Sequence, residues 1–169
     1  MSSLLDLVPS NLLEEDVIDP RWLDSPFLNL KRMKAKQAGS RYEHIFCSIM
    51  SSIGFEVSSP TSTDHDVILD GIKTEIKGSM LNRTQKAEKE LFSFLQIRPE
   101  QEYEQVGLIC FYFNKIRIFL ITKNNINQMI ENRILKKQHG GNKANSKTFC
   151  FNGDISKIEP YAKEILPWS

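Results

Sequence analysis

An α/β domain built on one central mixed sheet of four to five strands, flanked by helices, is what this sequence predicts, and three observations predict it. Residues 64–77 place two apolar, β-branched runs on either side of an Asp-Gly pair, the strongest short-range signal for a β-hairpin with a two-residue turn. Residues 106–113 and 116–121 are near-continuously apolar, as strands of a sheet covered on both faces are. Apolar residues also recur at spacings of three and four over 42–53 and over 125–135, which is the period of amphipathic helices.

The 169 residues fit a single domain spanning 1–169, long enough to bury a core without disulfides or structural zinc. Cys47, Cys110 and Cys150 are odd in number, far apart and set among apolar neighbours, so they read as buried thiols in a reducing compartment. There is no apolar run long enough to cross a bilayer and no leader pattern, so the expected location is the cytoplasm of a prokaryotic-type cell, with no membrane partner. The net charge of +1 hides an asymmetry along the chain.

Residues 1–30 form an acidic extension, with Asp6, Glu14, Glu15, Asp16, Asp19 and Asp24 against the lone Arg21, expected to pack on the core or on a partner. The sign then flips at Lys31, Arg32, Lys34, Lys36 and Arg41, a candidate phosphate-contacting surface. In the helix that follows, Tyr42, Ile45, Phe46, Ile49 and Ile53 make the apolar stripe, Gly54 stands where a left-handed cap would sit, and Glu43 lies on the flank of the buried side. Residues 55–57 restart extended chain, and the polar, Pro-interrupted 58–63 deliver it to the hairpin.

With Asp70 and Gly71 as the turn, Leu69 faces Ile72, Ile68 faces Lys73, Val67 faces Thr74, and Asp66 lands opposite Glu75. Alternation sets Asp66, Glu75 and Lys77 on one face and Val67, Leu69, Ile72 and Ile76 on the other, with Ile68 and Thr74 as exceptions to the polar and apolar division. Opposed Cβ atoms stand roughly 4.5–5.5 Å apart, so two carboxylates there repel unless something neutralises them, and a hard divalent cation is the natural neutraliser.

Gly78-Ser79 is expected to end the strand, 82–90 to be a loop or short exposed helix, and 91–97 to be strand or helix end, closed by Pro99. Asn114-Lys115 links the two apolar strands, and Thr122 can cap the helix over 125–135, with Ile126, Met129, Ile130 and Ile134 as its stripe. Lys136, Lys137, His139 and Lys143 lie in a basic, Gly-containing loop suited to backbone approach to phosphates, ahead of a short strand at 148–151. Residues 155–169 read as a terminal helix packing Ile158, Tyr161, Ile165 and Trp168.

A helix with an inward Glu, a strand, a hairpin presenting Asp66-(x8)-Glu75-Ile76-Lys77, then more strands and a helix: over residues 41–123 this order resembles the PD-(D/E)XK nuclease superfamily, with His65 where that pattern usually has Pro. The resemblance implies a restriction-endonuclease-like core. It implies Asp66, Glu75, Glu43 and the carbonyl of Ile76 as ligands of one or two Mg²⁺ ions, with Mn²⁺ as a substitute. It implies Lys77 as the residue that holds or deprotonates the attacking water. Asp64 shares parity with Asp66 and is its rival for the first position. The segment 94–99, with Gln96 and Arg98, followed by the basic loop at 138–141, looks similar to type II restriction endonucleases, including the small cleavage subunits of heterodimeric enzymes. Double-stranded DNA is then the expected partner, together with a second subunit, either another copy or a larger recognition subunit. Junction resolvases present a similar order of motifs, and a DNA-binding assembly subunit without turnover is the rival of another class.

Overall fold

A computed structural model describes residues 18–83, 90–138 and 147–168. The first described residues form a 3-10 turn, Pro20–Trp22, whose start is capped by the Asp19 side chain, and a short helix α1, Leu28–Lys31. Trp22 is buried edge-on against Phe113, with ring centroids 4.8 Å apart, so the described part of the acidic extension packs on the domain, and residues 1–17 of it lie outside the described residues. Helix α2 then runs Ala35–Ser52 and buries Ala38, Phe46 and Met50. Gly54 follows with φ +104°, the left-handed conformation that ends a helix at little steric cost.

The strands of the described residues build two sheets. The first runs, in spatial order, through β1 (Val57–Ser58), β2 (Val67–Leu69), β3 (Ile72–Met80), β6 (Gln105–Phe111), β7 (Ile116–Thr122) and β10 (Lys163–Trp168). Its pairings are antiparallel except β3 with β6, which makes the sheet mixed. The second runs through β4 (Asn82–Arg83), β5 (Glu90–Ile97), β9 (Phe149–Asp154) and β8 (Lys136–Lys137). Every residue of β6 is buried, as a strand covered on both faces requires.

Helix α2 covers one face of the first sheet through two glycines. A Cβ on Gly78 would stand 2.3 Å from Tyr42 Cδ2, and one on Gly107 would stand 2.5 Å from Phe46 Cζ, so the rings sit directly on bare backbone. The two sheets are joined by the Ser93 amide, which donates to Ser79 Oγ at 2.9 Å, and by Phe92 edge-on to Tyr112 at 5.1 Å. Helix α3, Lys123–Glu131, starts as expected, with the Thr122 hydroxyl accepting the Asn125 amide, and buries Ile126 and Met129. It stops four residues short of Leu135, and Arg133 then turns left-handed at φ +58°.

Several expectations are corrected. The main sheet has six strands rather than four to five, and a four-stranded sheet accompanies it. Gly78-Ser79 does not end β3, which runs on to Met80. Residues 90–97 are a full strand, and 82–83 is a strand rather than a loop or helix, with 84–89 outside the described residues. Lys136 and Lys137 belong to a short strand paired with β9 rather than to a loop. Ile72, expected on the core side, is 40% exposed at the hairpin tip.

The segment expected as a terminal helix takes another form. Residues 155–161 make two 3-10 turns, the second opened by Pro160, and β10 then pairs antiparallel with β7. Glu164 lies opposite Phe119 and binds Arg117 Nε at 2.7 Å, a cross-strand contact that favours the extended form. Among the described residues no helix is long and apolar enough to cross a membrane.

Candidate active site

The hairpin forms as its sequence dictates. Asp70 and Gly71 have φ of +49° and +80°, both positive as a type I′ turn demands, and the register pairs Leu69 with Ile72, Ile68 with Lys73 and Val67 with Thr74. The turn is sewn to the chain ahead of β1, since Asp70 Oδ1 accepts the Glu56 amide at 2.7 Å and the Asp70 amide donates to Glu56 O at 2.9 Å. Thr74, on the apolar side, is satisfied there by donating to Ile72 O and accepting from Gln105 Nε2.

The ladder stops one residue before Asp66 would join it as a strand residue. The Asp66 amide still donates to Thr74 O at 3.0 Å, but the next acceptor along β3 is the side chain: Asp66 Oδ2 takes the Ile76 amide at 2.7 Å. β2 and β3 therefore part at this point. The N–H and C=O of a strand residue face the same edge, so the Ile76 carbonyl is directed into the fork that Asp66 opens.

Asp64, the rival, is committed elsewhere, since its Oδ2 accepts the Glu102 amide at 3.1 Å. The loop between them is organised by His65, whose ring is buried. Its Nε2 accepts the Thr61 amide at 3.2 Å, which leaves Nδ1 as the protonated nitrogen facing Ser62 Oγ at 3.3 Å.

Glu75 and Lys77 share one face of β3, and Lys77 Nζ donates to Glu75 Oε1 at 2.7 Å. Burial holds the Glu75 carboxyl above the usual range. Lys77 opposes this by charge and hydrogen bond, while Asp66 adds to it by its charge and as a hydrogen-bonding neighbour. The two acids therefore act on each other just beyond the last paired residues, Val67 and Thr74. Glu43, on α2, feels two of the same charges: its carboxyl is raised first by burial, then by the charge of Asp66, with Lys77 pulling the other way. One turn on, the Cys47 thiol is pushed up by burial and by the charges of Glu43 and Asp66. Asp66, Glu75 and Lys77 thus act on one another at the fork, and Glu43 feels the charges of Asp66 and Lys77 from α2.

The basic residues fall into two groups on different elements. Lys36 and Arg41 line a groove of about 600 Å³ on α2 with Met33, Gln37, Ser40 and His44, and Lys34 is exposed at the start of that helix. Helical spacing sets Lys36, Ser40, Glu43 and Cys47 along one line, so Glu43 follows two of the groove's lining residues on the same side of α2. Gln96 and Arg98 are exposed at the end of β5, Gln96 at φ +56°, and its amide donates to Gln138 Oε1 at 2.7 Å, which brings β5 beside the exposed Lys136 and Lys137. His139 and Lys143 lie outside the described residues.

No family model matches the chain, and no curated protein matches it in sequence. The chemistry of the site has to be judged on its own donors.

Those donors are oxygens: three carboxylates and the Ile76 carbonyl, a set suited to a hard divalent cation rather than to zinc. Among the described residues no three His, Cys, Asp or Glu side chains converge closely enough to hold an ion as they stand. Glu75 is drawn to Lys77 and Asp66 to the Ile76 amide. Ion binding by this set requires the acids to draw closer together.

One residue of this neighbourhood has no signal in the sequence pattern. Tyr103 is buried in the loop ahead of β6, and the charge of Glu75 acts on its hydroxyl. No spacing rule links position 103 to position 75, because the segment ahead of β6 is brought towards β3 by the parallel pairing of the two strands.

Proposed function

We propose that the protein is a divalent-metal-dependent endonuclease of double-stranded DNA, of restriction-enzyme type, on a restriction-endonuclease-like core. The observation that carries this reading is the fork at Asp66. A side chain takes over the strand ladder there and sets a carboxylate beside Glu75, with Lys77 bonded to Glu75 and Glu43 within reach of their charges.

Asp66, Glu75, Glu43 and the Ile76 carbonyl would hold Mg²⁺, or Mn²⁺ in its place, and the cation supplies Lewis-acid stabilisation of the phosphoryl oxygens and an acidified water. The chain's own residues do the rest. Glu75 keeps the Lys77 ammonium at the fork, and Lys77 would offer its remaining donors to the attacking water or a phosphate oxygen. Lys36 and Arg41 neutralise phosphates of a strand lying along α2, and the basic end of the second sheet around Arg98, Lys136 and Lys137 meets the backbone elsewhere.

One fork serves one strand. Cutting both strands therefore needs a second copy, and a compact core has little surface left for reading bases, which a larger recognition subunit would supply.

The test is incubation of supercoiled plasmid with the protein and Mg²⁺ or Mn²⁺, alone and together with proteins encoded beside it. A linear duplex and a four-way junction are included as separate substrates. Metal-dependent nicked or linear product, absent for Glu75→Ala, supports the reading. Cutting confined to junctions would move the assignment to resolution, and equal cutting by Glu75→Ala would end it.

A further inference from the structure

Strand β5 breaks its alternation near its end. Phe92 and Phe94 are buried, and strict alternation would bury Gln96 next. Instead the pairing with β9 slips between Phe94 and Ile97, a β-bulge, and Ile97 is the next buried residue, opposite Phe149. Leu95 and Gln96 are both exposed in consequence, Leu95 with 49% of its surface in solvent.

This bulge is costly. Gln96 holds φ +56°, a conformation that residues other than glycine seldom adopt, and a large apolar side chain is left in water. The conformation is nonetheless pinned, because the Gln96 amide donates to Gln138 Oε1 at 2.7 Å. Strain held in place by its surroundings is found where a side chain is aimed for use, and re-aiming a side chain is what a bulge does.

Cations surround it. Ile97, Phe149 and Lys137 stand in one row across β5, β9 and β8, so at the usual strand spacing the exposed Lys137 lies about 10 Å from the end of β5. Lys136 beside it and Arg98 after Ile97 are exposed too. Three cations next to one amide and one apolar side chain reproduce the division between phosphate-holding and base-contacting groups that duplex recognition uses.

We infer that the β5 bulge is a base-reading element: Gln96 bonds the major-groove edge of an adenine, while Arg98, Lys136 and Lys137 hold flanking phosphates. A carboxamide offers an acceptor beside its donors, and adenine presents the complement in the major groove, an N7 acceptor beside an N6 donor. That groove admits a two-stranded ribbon such as β5 with β9, and Leu95 leaves water when it meets the adjoining base. The role rests on double-stranded DNA being the partner. One bulge reads one base pair, which leaves the rest of a recognition site to a second subunit.

The experiment is a selection of preferred sites by the full chain from random-sequence duplexes without added divalent metal. Fluorescence anisotropy then follows binding to the selected duplex with 7-deazaadenine, which lacks the N7 acceptor, placed at each adenine in turn. At one adenine the change is expected to weaken wild-type binding about tenfold. Gln96→Gly is expected to bind the plain and modified duplexes alike, and to melt close to wild type because glycine accepts the positive φ. Arg98→Ala is expected to bind both more weakly, with a salt slope lower by about 0.9, and to keep the discrimination.

Gln96→Gly that discriminates as wild type does overturns the inference. Wild type that is indifferent to the modified base at every adenine overturns it as well, whatever the stability of the variant, and so does a wild type that selects no preferred site. In those cases metal-dependent plasmid cutting leaves the nuclease reading standing. Wild type that binds no duplex at all overturns both.

Discussion

Asp66 Oδ2 accepts the Ile76 amide across the hairpin at 2.7 Å, so one carboxylate completes the strand ladder and faces the candidate ion site. The two duties separate by substitution. Asp66→Ala leaves the Ile76 amide without its acceptor and is expected to cost about 1–3 kcal/mol. Asp66→Asn keeps a carbonyl acceptor and is expected to melt close to wild type. Both are expected to lose metal-dependent cleavage by about 100-fold or more, the scale of losing one group that stabilises developing charge. Thermal melts alongside plasmid cleavage check this, and an Asn variant that cuts normally removes Asp66 from the chemistry.

Glu75 and Glu43 are both held above the ordinary Glu value of 4.5, first by burial and then, among opposing effects, by Asp66. Their native forms bind a proton more tightly than the unfolded chain does. Stability therefore declines as pH rises from 4.5 through their raised native values and is level above them. Glu43→Gln removes one such group, so its stability relative to wild type should be greater above that window, with the difference vanishing below it. Urea melts at acid and neutral pH measure this. Mn²⁺ affinity should likewise fall on acidification from a higher pH than an unperturbed Glu would impose, because the ion requires the ionised acids.

Three glycines separate close packing from backbone freedom. Gly78→Ala would set a Cβ 2.3 Å from Tyr42, the residue next to Glu43, and Gly107→Ala one 2.5 Å from Phe46. Each is expected to destabilise by about 1–3 kcal/mol, and Gly78→Ala to reduce cleavage as well, since α2 has to lift. Gly39 lies inside α2, and a Cβ there would meet nothing within 4 Å, so Gly39→Ala is expected to stabilise by about 0.5–1 kcal/mol. Chemical denaturation of the three variants distinguishes these signs.

Removing charge at Lys34, Lys36 or Arg41 should flatten the salt dependence of DNA binding, by about 0.9 in log–log slope for each phosphate no longer neutralised. Fluorescence anisotropy in a Glu75→Ala background, which keeps the duplex intact, is the measurement. An unchanged slope would take that residue out of the phosphate footprint.

The hairpin is legible in the sequence because strand alternation and an Asp-Gly turn are local rules, and its register follows from them residue by residue. Thr122 and Gly54 are legible for the same reason. The segment at 155–168 is not. Ile158, Tyr161 and Ile165 fall at helical spacing, yet Pro160 and the pairing of Glu164 with Arg117 across β7 favour turns and a strand. Tertiary pairing overrides periodicity there. The second sheet is hidden likewise, because β5 finds its partner β9 more than fifty residues on. At the fork, Asp64 and Asp66 are equivalent by parity, and what separates them is tertiary: Asp64 takes the Glu102 amide and Asp66 the Ile76 amide.

The order of events in folding follows from where the acids sit. Asp66 reaches Ile76 across ten residues of chain, a loop that closes quickly, whereas pairing β3 with β6 must wait for a more distant segment. The nascent hairpin accordingly brings like charges together before the rest of the sheet arrives, and the electrostatic cost falls on the early steps. Millimolar divalent salt in a refolding buffer should therefore speed the recovery of native protein as well as enable its chemistry.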